Sequence, residues 1–268
     1  MTADPGPMTP DRPIRQLFGV PLNAMTTAQV LDLADDVIAN RDRLLLGVVN
    51  AAKLVNMRRD AQLDAVVRRA DVILADGMAV VWAARLLRRP LPERVAGIDL
   101  MGHMLERGRS AHYRVFFLGA TQPVLDTVLE KIRTDYDGVV IAGSHHGYFK
   151  PDEEADIAQQ IRDAAPDMLF AAMSSPKKER FLAQWKDVMN VPVCHGVGGA
   201  FDVMAGKVRR APRIWQRLGM EWFYRVVQEP RRMWRRYLIT NTLFVGMLML
   251  EMFGLLPEHR AGNAGGDA

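Results

Sequence analysis

Six short apolar runs, separated by longer amphipathic stretches, constrain the fold of this chain more than any other feature. Most of the runs lack polar–apolar alternation, which is typical of strands buried on both faces of a parallel sheet. Segments long enough for crossover helices separate most of them, so the sequence predicts an α/β fold with an open, mostly parallel, Rossmann-like sheet. The runs are LLLGVVN (44–50), DVILAD (71–76), RVFFLGA (114–120), VVIAGS (139–144), DMLFAAM (167–173) and VPVCHGVG (191–198).

Local signals for helix starts agree with this pattern. Thr26 and Gln29 have the spacing of a capping box, ahead of an amphipathic run that ends near Asn40. Pro123 and Pro151 stand where helices can begin, because proline is tolerated in the first turn. These signals predict helices between the strands of the sheet.

The ends of the chain and its single cysteine indicate where the protein works. Residues 1–13 are rich in proline and lack the apolar core of a signal peptide, so they predict a disordered leader before a core at 14–206. Residues 257–268 predict a disordered tail. Cys194 has no partner for an internal disulfide, which favours a reducing compartment. We therefore expect a cytoplasmic protein.

The positive charge is concentrated in one segment. The formal net charge is +4, yet residues 209–237 carry nine arginines and two glutamates, a charge of +7, which leaves −3 for the rest. The apolar run LITNTLFVGMLMLEMFGLL (238–256) follows. We predict that residues 207–256 form a helical appendage that binds an anionic partner. Its aromatic residues between the arginines are Trp215, Trp222, Phe223, Tyr224, Trp234 and Tyr237.

The composition of the appendage favours an anionic membrane surface as this partner. Arginine and aromatic side chains suit the headgroup layer, whereas a nucleic acid has no use for the apolar run. The run is about as long as a membrane-spanning helix, but Asn241 and Glu251 make burial at mid-membrane costly. We expect it to lie at the membrane interface or to pack in a homo-oligomer. A core helix of an ordinary domain is the alternative.

Polar residues and glycines follow the predicted strands, where ligands bind in open parallel sheets. Asp76, beside Gly77, could take a proton from an attacking hydroxyl, although Asp-Gly is also a common turn. GVGGAFD (196–202) could bind a diphosphate through backbone N–H groups, or form a tight turn. The residues after the strands are Asn50, Asp76, Gly77, Gly119, Ser174, Ser175, Pro176, Gly196, Gly198 and Gly199.

Two motifs contain residue types that can bind metal ions, but neither predicts a metal site. Asp135-Tyr136-Asp137 has the letters of the DxD motif but lies between a helix and a strand, opposite the predicted binding edge, where a turn is favoured. His145-His146 has no further ligand at metal-site spacing, which favours a polar turn. We predict no required metal and no cofactor. GVGGAFD also departs from the GxGxxG dinucleotide fingerprint. An oxidoreductase or methyltransferase function is therefore supported only by the alternation of predicted strands and helices.

Eight ordered segments, within about residues 18–237, resemble the WecG/TagA/CpsF family of glycosyltransferases. The resemblance implies a Rossmann-like core with a C-terminal appendage and metal-independent, inverting transfer from a UDP-sugar. It also implies an acceptor saccharide on polyprenyl diphosphate, used in bacterial surface or extracellular polysaccharide synthesis at the inner face of the membrane. The segments are VNAAKLV (49–55), ADGMAVV (75–81), RVAGIDL (94–100), FFLGA (116–120), HGYF (146–149), SSPKKE (174–179), GVGGAFDVMAGKVRRAP (196–212) and GMEWFYRVVQEPRRMWRRYL (219–238).

The resemblance assigns roles to individual residues. Asp76 is implied as the general base that activates the acceptor hydroxyl. The implied substrate-binding residues are Asn50, Lys53, Arg94, Asp99, Gly119, Ser175, Lys178, Glu179, Gly198, Gly199 and Asp202. Five arginines are implied to bind the donor diphosphate or the membrane: Arg210, Arg225, Arg231, Arg232 and Arg235.

Three positions depart from the family pattern. The commoner family loop reads G-S-P-K-Q-E, whereas this chain has Ser174 and Lys178 in place of its Gly and Gln. Val48 stands where some members have a threonine. Lysine offers a cation with three donors and no acceptor, so Lys178 suits an acidic sugar or a phosphate better than a neutral hydroxyl.

Overall fold

A six-stranded parallel sheet lies at the centre of the protein. The computed structural model describes residues 13–259, except the side chains of Arg217, Arg232, Met233 and Arg236. The strands in this range are β1 (Ile14–Leu17), β2 (Val20–Asn23), β3 (Leu44–Val49), β4 (Val72–Ala75), β5 (Arg114–Gly119), β6 (Val140–His145), β7 (Met168–Ala172) and β8 (Val193–Gly196). The order in the sheet is β4-β3-β8-β7-β5-β6.

All six strands predicted from the apolar runs are confirmed. Every pairing in the central sheet is parallel, so the carboxyl ends of its strands meet at one edge. Residues of β4 and β7 are buried throughout, because helices cover both faces of the sheet. The fold is therefore α/β and Rossmann-like.

The helices between the strands begin at the predicted signals. In the first helix, the Thr26 side chain accepts a hydrogen bond from the Gln29 backbone, and the Gln29 side chain accepts one from the Thr26 backbone, which confirms the capping box. Pro123 lies in the first turn of the helix Gln122–Asp135, and Pro151 begins a short 3-10 helix, Pro151–Glu153. The helices are α1 (Thr27–Asn40), α2 (Ala51–Met57), α3 (Ala61–Val67), α4 (Met78–Leu86), α5 (Gly97–Ala111), α6 (Gln122–Asp135), α7 (Glu154–Ala164), α8 (Lys177–Met189), α9 (Ala200–Met204), α10 (Arg213–Arg217), α11 (Glu221–Gln228) and α12 (Pro230–Met252).

Alternate residues of each strand pack on opposite faces of the sheet. Val115 and Phe117 of β5 join a cluster with residues of α1, α5 and α6, whereas Phe116 and Leu118 join one with α7 and α8. A third cluster covers β4 on this second face and includes residues of α2, α3 and α4. The two buried faces fix the sheet between helical layers and leave its carboxyl edge open for a site.

A short hairpin at the start of the core was not predicted. β1 and β2 pair antiparallel through a two-residue turn at Phe18 and Gly19, which both have positive φ. Their sequences, IRQL and VPLN, are not continuous apolar runs, so the pattern that marks the buried strands does not mark them. The Phe18 ring packs edge-on against Phe244 of α12, with ring centroids 5.3 Å apart, so tertiary contacts hold the hairpin.

The second half of α12 packs on the core. Phe244 is buried in the cluster that covers β4, and α12 runs along α2. Glu251 accepts a hydrogen bond from the Phe18 backbone and pairs with Arg89, so its charge is used within the domain. None of the helices within residues 13–259 is both long and apolar enough to cross a membrane.

The predicted leader and tail fall largely outside the described residues, since positions 1–12 and 260–268 are not described. Residues 257–259 of the predicted tail contact the core. Arg58 donates to the Pro257 carbonyl at 2.7 Å, and His259 lies 3.1 Å from a carboxylate oxygen of Asp64. The described contacts thus extend beyond the predicted boundary at residue 256.

Candidate active site

The carboxyl edge of the sheet gathers most of the residues that the sequence singles out. β3 leads to Asn50, β4 to Asp76 and β8 to Gly198, and these three strands are neighbours. Asn50 caps α2, where its side chain accepts a hydrogen bond from the Lys53 backbone at 3.0 Å. Lys178 reaches the same edge from the start of α8.

Asp76 follows the edge strand β4, at one side of this group. Its Oδ1 accepts a hydrogen bond from the Gly97 backbone at 3.1 Å, so it caps the amino end of α5 from outside that helix. Burial raises the pKa of Asp76, and the charge of Glu221 raises it further, against the Gly97 hydrogen bond and the cations Arg94 and Lys53. A carboxylate of raised pKa is a better proton acceptor than an ordinary one.

Two lysines and a glutamate form a buried ion cluster beside Asp76. Lys53 Nζ donates to the Val48 carbonyl at 2.8 Å and to Glu179 Oε1 at 2.7 Å. Lys178 Nζ lies 3.4 Å from the same Glu179 oxygen. Burial would raise the pKa of Glu179, but Lys53 and Lys178 outweigh it and lower that pKa to about 2. Glu179 therefore stays ionised.

Lys178 is buried and shares one carboxylate oxygen of Glu179 with Lys53. Burial, with the nearby charge of Lys53, lowers the pKa of Lys178 to about 8. Its chain passes over Gly196, where an added Cβ would lie 2.7 Å from Lys178 Cδ, and Nζ comes near Gly198. This close approach explains the glycine at 196. A weakly paired ammonium in a cleft favours an anionic ligand.

A second ion network connects the core to the C-terminal segment, which is the appendage predicted at residues 207–256. Arg94 Nη1 lies 2.7 Å from Glu221 Oε2 of α11, while Nη2 lies 3.5 Å from Asp99 and 3.4 Å from Gln216. Arg210 donates two hydrogen bonds of 2.6 Å to Asp99. Burial opposes the ionised form of Asp99, but the bonds from Arg210 outweigh it and lower the pKa.

His195, on β8, lies behind the Asp76 hydrogen bond. Its Nε2 is 3.0 Å from the Gly97 carbonyl, and the Gly97 N–H is the donor to Asp76. The imidazole is fully buried, which lowers its pKa to about 4 and keeps it neutral near pH 7. His195 thus supports the backbone that holds Asp76.

Together the two networks are formally neutral. They contain four cationic and four acidic side chains of the described residues: Lys53, Lys178, Arg94, Arg210, Asp76, Asp99, Glu179 and Glu221. A ligand with a diphosphate would add negative charge to this site. Either cations from elsewhere in the protein or rearranged ion pairs within the two networks are then needed to balance the diphosphate charge.

Other predicted residues lie apart from Asp76. Gly119 ends β5, four strand positions from β4, which is roughly 19 Å at the usual spacing of ~4.8 Å. Its φ of 136° and the 2.3 Å between an added Cβ and the Ala172 carbonyl explain the glycine structurally. Ser175 is exposed in the loop before α8.

The glycine loop and one appendage arginine, Arg225, lie around a small cavity. Gly198 has a φ of 57°, in the left-handed region that favours glycine, whereas an added Cβ at Gly199 meets no atom within 4 Å. Asp202 pairs with Lys207 at 3.4 Å. Gly199, Asp202 and Arg225 line a cavity of about 110 Å³. Arg225, Arg231 and Arg235 are exposed, and the side chain of Arg232 lies outside the described residues.

The two metal-like motifs are at different ends of the sheet. Asp135 ends α6 and Asp137 precedes β6, at the amino edge and away from Asp76. His145 ends β6 at the carboxyl edge, and its ring contacts His146 and Phe149. Within residues 13–259, no three His, Cys, Asp or Glu side chains come close enough together to hold a metal ion.

Sequence reasoning missed two residues of this region, His195 and Glu221. His195 lies inside an apolar strand with no local feature that marks it. In the sequence, Glu221 stands out only as one of two acidic residues in a basic segment. Its position, directly after Gly219-Met220 at the start of a helix, was the available signal.

Comparisons with known proteins agree on one family. The model of the glycosyl transferase WecG/TagA/CpsF family matches residues 15–256. A curated protein of Bacillus spizizenii, named N-acetylglucosaminyldiphosphoundecaprenol N-acetyl-beta-D-mannosaminyltransferase, is 35% identical over 201 residues. The match covers 75% of this chain and 77% of that protein.

Proposed function

Because the chain belongs to the WecG/TagA/CpsF family of glycosyltransferases, we propose that it transfers a sugar from a UDP-sugar to a saccharide on polyprenyl diphosphate. The name of the Bacillus relative supports the acceptor class, since that protein acts on a sugar carried by diphosphoundecaprenol. The product would enter a bacterial surface or extracellular polysaccharide. Because the chain belongs to this family, the oxidoreductase and methyltransferase alternatives are excluded.

The observation that carries the mechanism is the Asp76 carboxylate at the open edge of the sheet. It is partly exposed, its pKa is raised by burial, and it has cations on two sides, Arg94 and Lys53. These properties suit a general base, which needs access to the acceptor and affinity for its proton. The Gly97 hydrogen bond, backed by His195, keeps the carboxylate oriented.

The proposed reaction is a single displacement. The acceptor hydroxyl forms a bond to the anomeric carbon as its proton passes to Asp76, and the bond from that carbon to the UDP oxygen breaks. The electron pair leaves with UDP, and the configuration at the anomeric carbon inverts. Both reactants must be held close to Asp76, because proximity supplies much of the rate.

Charge that develops on UDP is balanced by protein cations in this proposal, without a metal. Lys53, Lys178, Arg94 and Arg210 are near Asp76, but carboxylates already balance them. Further cations from the appendage, Arg225, Arg231, Arg232 and Arg235, would supply the difference. Cations placed around the diphosphate would stabilise the negative charge that develops on it.

The proposed location is the inner face of the cytoplasmic membrane, with the protein bound peripherally. Exposed apolar residues of the C-terminal segment support this: Ile214, Leu218, Phe223, Val227, Trp234, Leu238 and Ile239. They alternate with arginines, a composition that suits anionic headgroups. Without a membrane, the same surface would favour self-association into a homo-oligomer.

The test is a transfer assay with the purified full chain, a panel of UDP-sugars and a polyprenyl-diphosphate-linked saccharide, in EDTA. We expect UDP release and a product one sugar heavier by mass spectrometry. Thermal melting selects the donor first, since a ligand at about 100 times its Kd stabilises by roughly 2.7 kcal/mol. Stabilisation by NAD or S-adenosylmethionine alone would contradict the proposal. Activity that requires magnesium would contradict its metal-independent form.

A further inference from the structure

The position of the Arg94 guanidinium depends on the C-terminal segment. Of its three side-chain partners, Glu221 is by far the nearest, with Nη1 and Oε2 2.7 Å apart. The contacts to Gln216 and Asp99, at 3.4 and 3.5 Å, are at the limit of a hydrogen bond. Glu221 therefore makes the one strong contact among them.

Asp99 cannot take over this task, because Arg210 already occupies it. The two Arg210 bonds of 2.6 Å engage both Asp99 carboxylate oxygens in a bidentate pair. Bidentate pairs fix geometry more tightly than a single contact at 3.5 Å. Arg94 is left with Glu221 as its main anchor.

Glu221 is itself held firmly in place. The Gly219 turn lies against α4, where an added Cβ would be 2.9 Å from the Trp82 ring, so a side chain there would push the turn away. The Met220 backbone donates to the Trp215 carbonyl at 2.7 Å. Trp215 stacks on Phe223 with ring centroids 5.9 Å apart. These contacts set the carboxylate of Glu221 against the core.

We propose that Glu221 is a positioning residue of the active site, which holds the Arg94 guanidinium beside Asp76. The inference rests on the proposed function, because it takes Asp76 as the base. It gives a residue of the C-terminal segment a part in the reaction through Arg94, in addition to any role in membrane binding. Glu221 also lies close enough to Asp76 to raise the pKa of that carboxyl.

The first experiment is a double-mutant cycle with Glu221→Gln and Arg94→Gln, measured as kcat/KM. We expect Glu221→Gln to lose roughly tenfold, the fold-change of about 1.4 kcal/mol, when Arg94 is present. We expect little further loss when Arg94 is already glutamine, because the group it positions is gone. Equal losses in both backgrounds, or no loss in either, would overturn the proposal. Glu106→Gln, which breaks an exposed pair with Arg109, is the control and should leave kcat/KM unchanged.

The second experiment measures the pKa of Asp76 by carbon NMR of labelled aspartate, with Asp76→Asn to assign the signal. We expect Arg94→Gln to raise this pKa in the wild-type background, because a nearby cation is lost, and to raise it less in the Glu221→Gln background, where the guanidinium is no longer held. The Glu106→Gln background should leave that rise unchanged. An equal rise in folded Glu221→Gln would overturn the inference. The pKa measurement does not require enzymatic turnover. If the wild-type protein showed no sugar transfer, the proposed function would be contradicted, but the pKa result would still test the role of Glu221.

Discussion

At the residue scale, burial in one cleft tunes two groups in opposite senses. It raises the pKa of Asp76 and lowers that of Lys178 to about 8. Both shifts favour the neutral form, as expected where water is partly excluded. Near pH 7 the carboxylate gains proton affinity, while Lys178 remains largely charged. The pair suits a site that accepts a proton and binds an anion.

Replacement of the proposed base tests the chemistry directly. Asp76→Asn keeps the shape of the side chain but cannot take a proton, so we expect turnover to fall by about 10²–10⁴-fold. The measurement is kcat in the transfer assay, with folding checked by circular dichroism. Asp137→Asn, an exposed site at the opposite edge of the sheet, is the matched control. Turnover of Asp76→Asn near the wild-type value would remove Asp76 from this role.

The lowered pKa of Lys178 predicts a pH dependence of donor binding. Lys178 is a cation below its pKa of about 8 and becomes neutral as the pH rises through that value. If it contacts the donor, UDP binding should weaken by roughly tenfold between pH 7 and 9, the effect of one charged hydrogen bond.

The comparison uses calorimetry on two variants. Lys178→Gln should bind UDP more weakly at pH 7 and show little change up to pH 9. Lys131→Gln, on the exposed side of α6, should behave as the wild type. The same pH dependence in Lys178→Gln as in the wild type would exclude Lys178 as its source.

At the element scale, α12 divides between core and surface. Phe244 is buried against Phe18, whereas Leu243 beside it is 40% exposed. The apolar run at 238–256 thus contributes to an ordinary domain core along one face. The side of α12 that bears Val245 and Met249 stays exposed.

Because Phe244 is buried and Leu243 is exposed, we predict that their replacement by alanine changes the free energy of unfolding to different extents. Phe244→Ala should lower the free energy of unfolding by about 3–5 kcal/mol, because it removes a buried ring and leaves a cavity. Leu243→Ala should lower it by less than about 1 kcal/mol. Urea unfolding of both variants measures the difference. Equal, small effects would mean that α12 does not pack on the core.

At the scale of the whole molecule, the charges are separated. The C-terminal segment is strongly basic, and the rest of the chain carries a formal −3. A surface of exposed arginines and apolar side chains therefore lies on the same part of the chain that reaches Arg94 through Glu221. Such an arrangement would bring the active site close to a lipid-linked acceptor.

Binding to vesicles tests this surface. Replacing Arg225, Arg231 and Arg235 together by Gln should weaken binding to anionic vesicles by roughly a hundredfold, since each arginine contributes about 1 kcal/mol. Cosedimentation at low salt measures the affinity, and zwitterionic vesicles should bind poorly. Gln at Arg59, Arg133 and Arg162, three exposed positions outside the segment, is the charge-matched control. Equal weakening in both triple variants would contradict a localised membrane surface.

The sequence alone determined the six strands of the central sheet, three helix starts and the position of Asp76. Apolar runs mark strands buried on both faces, and capping residues act within one turn, so both are local properties. The family resemblance follows from the same local order of segments. Asp76 could be predicted at the open edge because it directly follows an apolar run, and parallel strands share that edge.

Only the tertiary structure decided which distant residues support Asp76. His195 and Gly97 are 98 positions apart, and Arg94 and Glu221 are 127 apart. Their contacts depend on the order β4-β3-β8 in the sheet and on how the Gly219 turn before α11 packs on α4, which no local pattern encodes. The same holds for Phe244, because an apolar helix face can pack on a membrane, a partner or its own core, and the sequence pattern does not distinguish these cases.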